Sequence, residues 1–184
     1  EHEPSLRLEN EALLSGWADA LVVSTESERV DVQDISVRAN GDVAVIPPGV
    51  DLNVFHPYPQ AEARRELDIP ARDKMVLFVG RIEPLKGVDT LLQSLKLLRE
   101  SGEMPPHLCL SIIGGDPAKP RETRHAELEK LMGLRDDLGL SDLVTFLGRR
   151  AQETLHCYYA SADVVVMPSH HESFGMVALE AMAC

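Results

Sequence analysis

The sequence predicts an α/β fold, a doubly wound parallel sheet covered by helices on both faces. Two observations carry this reading. Six short apolar runs recur along the 184 residues, at 20–25, 43–46, 75–80, 108–114, 144–147 and 164–168, and most hold apolar residues in succession and do not alternate. Strands with one wet face alternate, whereas strands buried on both faces do not. Stretches of helical length separate the runs, and strand–helix–strand repetition builds βαβ units with parallel strands.

The elements follow in order. A first helix is expected over 6–17, with Leu6, Leu13, Leu14 and Trp17 as its apolar residues, and the runs at 20–25 and 43–46 follow it. The stretch from Ile46 to Pro59 holds four prolines and a glycine. Proline cannot donate to a ladder, so this stretch reads as an extended linker between domains. Residues 1–46 would then be the tail of one domain, 47–59 the linker and 60–184 most of a second domain. Within that second part, 87–100 places Val88, Leu91, Leu92, Leu95 and Leu98 on one helical stripe. Further helices are expected over 121–138, which is strongly charged, over 152–160, and over 175–183. The chain opens at Glu1 instead of Met, and no Gly or Pro stop signal follows Ala183. We expect a fragment of a longer protein.

Composition narrows the function classes. The formal net charge is −12, which argues against a nucleic-acid partner, because phosphate backbones need a basic face. Any bound phosphate must be held by local cations and backbone amides against the overall field. No apolar run approaches the roughly 18 residues of a membrane span. Cys109, Cys157 and Cys184 show no CxxC spacing, so we expect no disulfide framework, in keeping with a reducing cytoplasm. Cys109, in an apolar run, is expected to be a small core residue.

Candidate chemistry lies at the carboxyl ends of the runs, where open α/β sheets bind ligands. The run ending at Gly80 is followed by two cations, Arg81 and Lys86, and then by a helix. Arg offers a planar fork to phosphate oxygens and Lys a point charge, although two solvated loop cations would look the same. The pair Gly114-Gly115 permits either close backbone approach to a ligand or a tight turn. Arg149 follows another strand end and could edge a nucleobase or simply lie on the surface. The richest stretch runs from Met167 to Ala183. A strand ends at Pro168, a polar loop follows, and a helix is expected to start near Phe174 or Gly175. A helix start presents unpaired amides and a partial positive charge, where a diphosphate fits. Glu172 can accept hydrogen bonds from sugar hydroxyls, or merely cap the helix. Glu180, set among Leu179, Ala181, Met182 and Ala183, can grip the two hydroxyls of a ribose, as acids do in dinucleotide sites. The adjacent His170 and His171 have no third ligand at suitable spacing, so no metal site is expected.

Glu172 and Glu180 are separated by seven residues, and this segment resembles the E-x7-E signature of the GT4 family of retaining glycosyltransferases. The other motifs follow in the family's order: 46–57 resembles the interdomain linker and 79–87 the phosphate-binding loop, followed by Gly114-Gly115, Phe146 to Gly148, and Ala162 to Pro168. The resemblance implies a GT-B fold, with 60–184 the donor-binding domain and 1–46 the end of the acceptor-side domain. It implies that Arg81, Lys86 and Glu172 take part in catalysis: the two cations neutralise the diphosphate, and Glu172 positions the donor sugar. Gly80, Gly114, Arg149, Ser173, Phe174, Gly175, Met176 and Glu180 would bind the rest of the donor, with Arg149 near the base and Glu180 on the ribose. Transfer with retention would need no metal and no other cofactor. The co-substrate is a nucleotide-diphosphate sugar. The acceptor, whether sugar, sugar phosphate, lipid or small molecule, is not specified. The stretch 115–122 and the loop from His170 to Ser173 look closest to the sucrose-phosphate-synthase-like branch, which favours a UDP donor. A cytoplasmic protein, or one peripheral to the inner membrane face, is expected. Two alternatives stay open: another GT-B enzyme such as a phosphorylase or epimerase, and a degenerate nucleotide-sugar-binding scaffold.

Overall fold

The structure is a computed structural model that describes residues 5–35, 42–120 and 125–184. The start of the helix expected over 121–138 falls in 121–124, outside the described residues. The chain forms two compact units, Glu1–Gly49 and Val50–Cys184.

The first unit contains α1 (Ser5–Trp17), β1 (Ala20–Val23), α2 (Glu26–Ile35) and β2 (Asp42–Val45). The strands pair in parallel, Ala20 opposite Asp42 and Val23 opposite Val45, so β1-α2-β2 is one βαβ unit. The apolar pattern did not indicate α2, which is acidic and has no stripe. A cap forms it instead. The Glu28 amide donates to Thr25 Oγ1 at 3.1 Å, and the Ser24 amide donates to Glu28 Oε2 at 2.7 Å. Thr25 with Glu28 three residues later is the capping-box spacing.

The second unit runs α3 (Gln60–Glu66), β3 (Lys74–Val79), a 3-10 turn (Pro84–Lys86), α4 (Val88–Glu100), β4 (Leu108–Ile113), α5 (Ala126–Asp137), β5 (Val144–Gly148), α6 (Gln152–Ser161), β6 (Val164–Val165) and α7 (Met176–Ala183). Its four strands are parallel, in the order β5-β4-β3-β6. The uninterrupted apolar runs have the expected cause. In β3, Phe78 belongs to one core with Val88, Leu92, Leu110 and Leu128, and Val76 packs against that core. Met75 and Leu77 belong to the other core, with Phe55, Ile113 and Tyr159. Alternate side chains of a strand point to opposite faces, so a strand sandwiched by helices needs an apolar residue at every position. Cys109 is half-buried and packs against the second core.

The proline-rich stretch is more than a tether. Phe55 is 1% exposed and tilts against the Tyr159 ring, so from Val50 onward the chain contributes to the second unit's core. β6 is also shorter than its apolar run. It pairs with β3 over Val164 and Val165, Val166 adds one amide bond to Leu77 at 2.9 Å, and Pro168 has no N–H with which to continue.

The amino end of β6 is clamped to β3 by Asp163. Its Oδ2 accepts from the Met75 amide at 2.7 Å and from Arg64 Nη2 at 2.8 Å. Arg64, on α3, is 6% exposed and also donates to the carbonyls of Ser161, Ala71 and Asp73. A buried guanidinium is tolerable only when its donors are paired in this way.

Candidate functional site

The order β5-β4-β3-β6 reverses direction at β3. From β3 the chain winds out to β4 and β5, then returns to β6 on the other side. Loops leaving β3 and β6 therefore diverge over a crevice at their carboxyl ends, the place where open parallel sheets take ligands. Both loops singled out in the sequence lie there.

Three contacts join them. The His170 amide donates to the Leu85 carbonyl at 2.9 Å. Lys86 Nζ meets Glu172 Oε2 at 2.6 Å, and Ser169 Oγ donates to the same oxygen at 3.3 Å. Gly87 lies so close to Pro168 that a Cβ built on it would stand 2.1 Å from the Pro168 carbonyl oxygen. Gly87 also has φ of +65°. Gly87→Ala is therefore expected to destabilise the unit by at least about 2 kcal/mol, from left-handed strain plus a forced shift of the loop. Chemical denaturation measures it, and a variant as stable as the parent would show that this approach is not tight.

The Lys86 ammonium, hydrogen-bonded to Glu172, holds that carboxyl below the usual carboxylate value, against the opposing effect of burial. Both groups are partly sheltered, with side chains 20% and 30% exposed. Beyond them α7 begins after Gly175, and its first amide with an intrahelical acceptor is that of Ala178, bonded to Gly175 O at 2.9 Å. The amides before it are free to face an anion. The helix begins at Met176, one to two residues later than expected.

Glu180 sits in α7 at 9% exposure and accepts a 2.7 Å hydrogen bond from the Tyr159 hydroxyl. Nothing in the sequence pointed to Tyr159, which carries no motif and lies on α6. Burial, reinforced by the Glu180 carboxylate, pushes the Tyr159 hydroxyl well above the usual tyrosine value, so it remains a donor.

The remaining candidates gather beside this group and not within it. A cleft of about 650 Å³ is lined by Gly80, Arg81, Glu83, Gly114, Lys119, His125 and Arg149, among others. That volume falls in the range of small-molecule pockets. Lys86, Glu172 and Glu180 are not in its lining, so the two cations that sequence placed together serve neighbouring regions. Arg81 is 77% exposed and pairs with Glu83 at 2.9 Å. Arg150 is held to α6 by Tyr158 at 2.8 Å, while Arg149 is exposed at the cleft. Gly114 has φ of +151°, and a Cβ there would stand 2.1 Å from the Gly80 carbonyl oxygen. The approach of two strand ends thus already accounts for glycine at 114. Among the described residues no group of three His, Cys, Asp or Glu side chains could hold a metal ion, and no helix is long and apolar enough to cross a membrane. Residues 121 and 122 of the stretch 115–122 lie outside the described residues.

A parallel doubly wound sheet with a cation-bearing loop, an acidic loop paired to it and a helix start at its switch point is the architecture of the GT-B glycosyltransferases. Over the whole chain the structure is similar to sucrose-phosphate synthase from Thermosynechococcus elongatus, with TM-score 0.85, 35% identity and 43% of that chain covered. It is also similar to HepE of Anabaena solved with UDP-glucose, with TM-score 0.79, 25% identity and 48% of that chain covered. Residues 59–184 match the family model "Glycosyl transferases group 1", and the chain belongs to that family. Curated relatives include D-inositol 3-phosphate glycosyltransferases of Thermobispora bispora, 38% identical over 183 residues, and of Mycolicibacterium smegmatis, 40% identical over 182. The match takes in 99% of this chain in both cases but 42% and 39% of the relatives, so the chain spans about two fifths of their length.

Proposed function

We propose that the intact protein transfers a hexosyl group from a UDP-sugar to an acceptor, with retention of configuration, and that the chain described here holds the donor. Residues 60–184 would be the donor-binding domain and 1–46 the end of the acceptor-side domain. The observation that carries this reading is the Lys86–Glu172 pair at 2.6 Å beside the start of α7, at the switch point of the sheet. The UDP-glucose complex of HepE supports the donor class, and the curated relatives support glycosyl transfer.

The roles are those that the family resemblance implies, set on the positions described above. Lys86 and the α7 amides face the diphosphate, and Arg81 adds charge from the adjoining cleft. These fixed positive groups stabilise the departing nucleotide diphosphate as charge builds on it, with no metal needed. Glu172, with the backbone of Ser173, Phe174, Gly175 and Met176, positions the donor sugar. Glu180 holds the ribose. Arg149, with the strand ends at Gly80 and Gly114, edges the base. Retention follows if the acceptor attacks from the face that the leaving phosphate vacates, with that phosphate taking the proton. The new glycosidic bond forms as the bond to the phosphate oxygen breaks.

The test is a melting series of the intact protein with UDP-glucose, UDP-N-acetylglucosamine and GDP-mannose. A ligand at 100 times its dissociation constant adds about 2.7 kcal/mol to stability. We expect a clear rise with at least one UDP-sugar. No shift with any of the three would remove the donor reading, and a shift with GDP-mannose alone would correct the base.

A further inference from the structure

Glu180 is a nine-tenths buried acid in an apolar helix, and among the described residues the Tyr159 hydroxyl is the one side-chain group that donates to it. That bond occupies Oε2. A carboxylate has a second oxygen and about four acceptor sites in all, and a buried acceptor left unfilled is costly. Helical side chains lean toward the helix N-terminus, so this carboxylate leans toward the start of α7. Met176, one turn earlier, lies on the same face.

Tyr159 cannot readily move. It is 5% exposed, its ring tilts at 56° against Phe55 with centroids 6.0 Å apart, and it is packed in the core formed by Met75, Leu77 and Ile113. A glutamate has three rotatable side-chain bonds, and a fixed donor on one oxygen selects among its rotamers. We propose that Tyr159 is a positioning residue for donor recognition: its hydroxyl fixes one oxygen of Glu180 so that the other meets the paired hydroxyls of the donor's ribose. The inference rests on the reading of Glu180 given under Proposed function.

Titration calorimetry of the intact protein with UDP and with 2′-deoxy-UDP tests it. The parent is expected to bind UDP about tenfold or more tightly than 2′-deoxy-UDP, as loss of a hydrogen bond to a charged group implies. In Tyr159→Phe the ratio should fall to about threefold or less, through weaker UDP binding, with 2′-deoxy-UDP nearly unchanged. Glu180→Gln should also reduce the ratio. A parent that does not discriminate removes the ribose role of Glu180, and the positioning role with it. A parent that discriminates through Glu180, with Tyr159→Phe retaining the full ratio or weakening both ligands alike, overturns the positioning role alone. If Tyr159→Phe does not fold, the ratio is read in Tyr159→Met, which fills the site without a donor, and it must fall there too.

Discussion

Arg64→Leu is expected to cost about 3–5 kcal/mol of folding stability, the loss typical of removing one partner from a buried ion pair. Leucine fills much of the volume, so the loss is mainly polar. The carbonyls of Ala71 and Asp73 lose their Arg64 donor, that of Ser161 keeps only Gln60 Nε2 at 3.4 Å, and Asp163 keeps only the Met75 amide and a distant Lys74 at 4.0 Å. The effect should be global, because α3, β3 and β6 all meet at this guanidinium. The same network sets an acid response. Burial pushes the Asp163 carboxyl up, but the Met75 amide, Arg64 and Lys74 outweigh it and hold it below the usual aspartate value. A carboxylate with a lowered folded-state pKa contributes stability above its unfolded value, near 4, and that contribution is lost as pH falls through the lowered value. Denaturation at pH 7 and at steps below pH 4 should show the parent losing stability more steeply than Arg64→Leu. A loss under about 1 kcal/mol at pH 7 would show that the network is dispensable.

Lys86→Ala in the intact protein should lower kcat/KM for a UDP-sugar by about a hundredfold or more, the scale seen when one preorganised donor to a developing anion is removed. The substitution does more than delete a cation. It leaves Glu172 as an uncompensated carboxylate beside the place proposed for the diphosphate, where like charge repels. The double variant Lys86→Ala with Glu172→Gln should therefore lose less than the product of the single losses. Steady-state kinetics of the four proteins measures this, and strictly multiplicative losses would show that the ion pair has no bearing on donor handling.

The parallel sheet was legible because β3 and β4 face helices on both sides, which fills all their positions but Lys74 and Ser111 with apolar residues. The helix with a clear stripe, α4, was legible for the related reason that one face meets a core. α2 was not, because its apolar residues form no stripe and the cap at Thr25 and Glu28 carries the signal instead. The individual residues of the candidate site stood out in sequence at the strand ends. Their grouping did not. Arg81 and Lys86 are five positions apart yet face different regions, whereas Lys86 and Glu172 touch only because β3 and β6 are neighbours in the sheet. Tyr159 was silent because a tyrosine in a short helix looks like ordinary core, and only the fold brings its hydroxyl to Glu180.

The separation of Lys86 from Glu172 by 86 positions also sets when the site can exist. Closing so long a loop has an entropic cost that only the intervening helices and strands can offset. During synthesis, then, the β3 loop waits exposed while β4, β5 and α6 emerge. The corner proposed for the diphosphate, where Lys86 meets Glu172, appears only when β6 is laid beside β3.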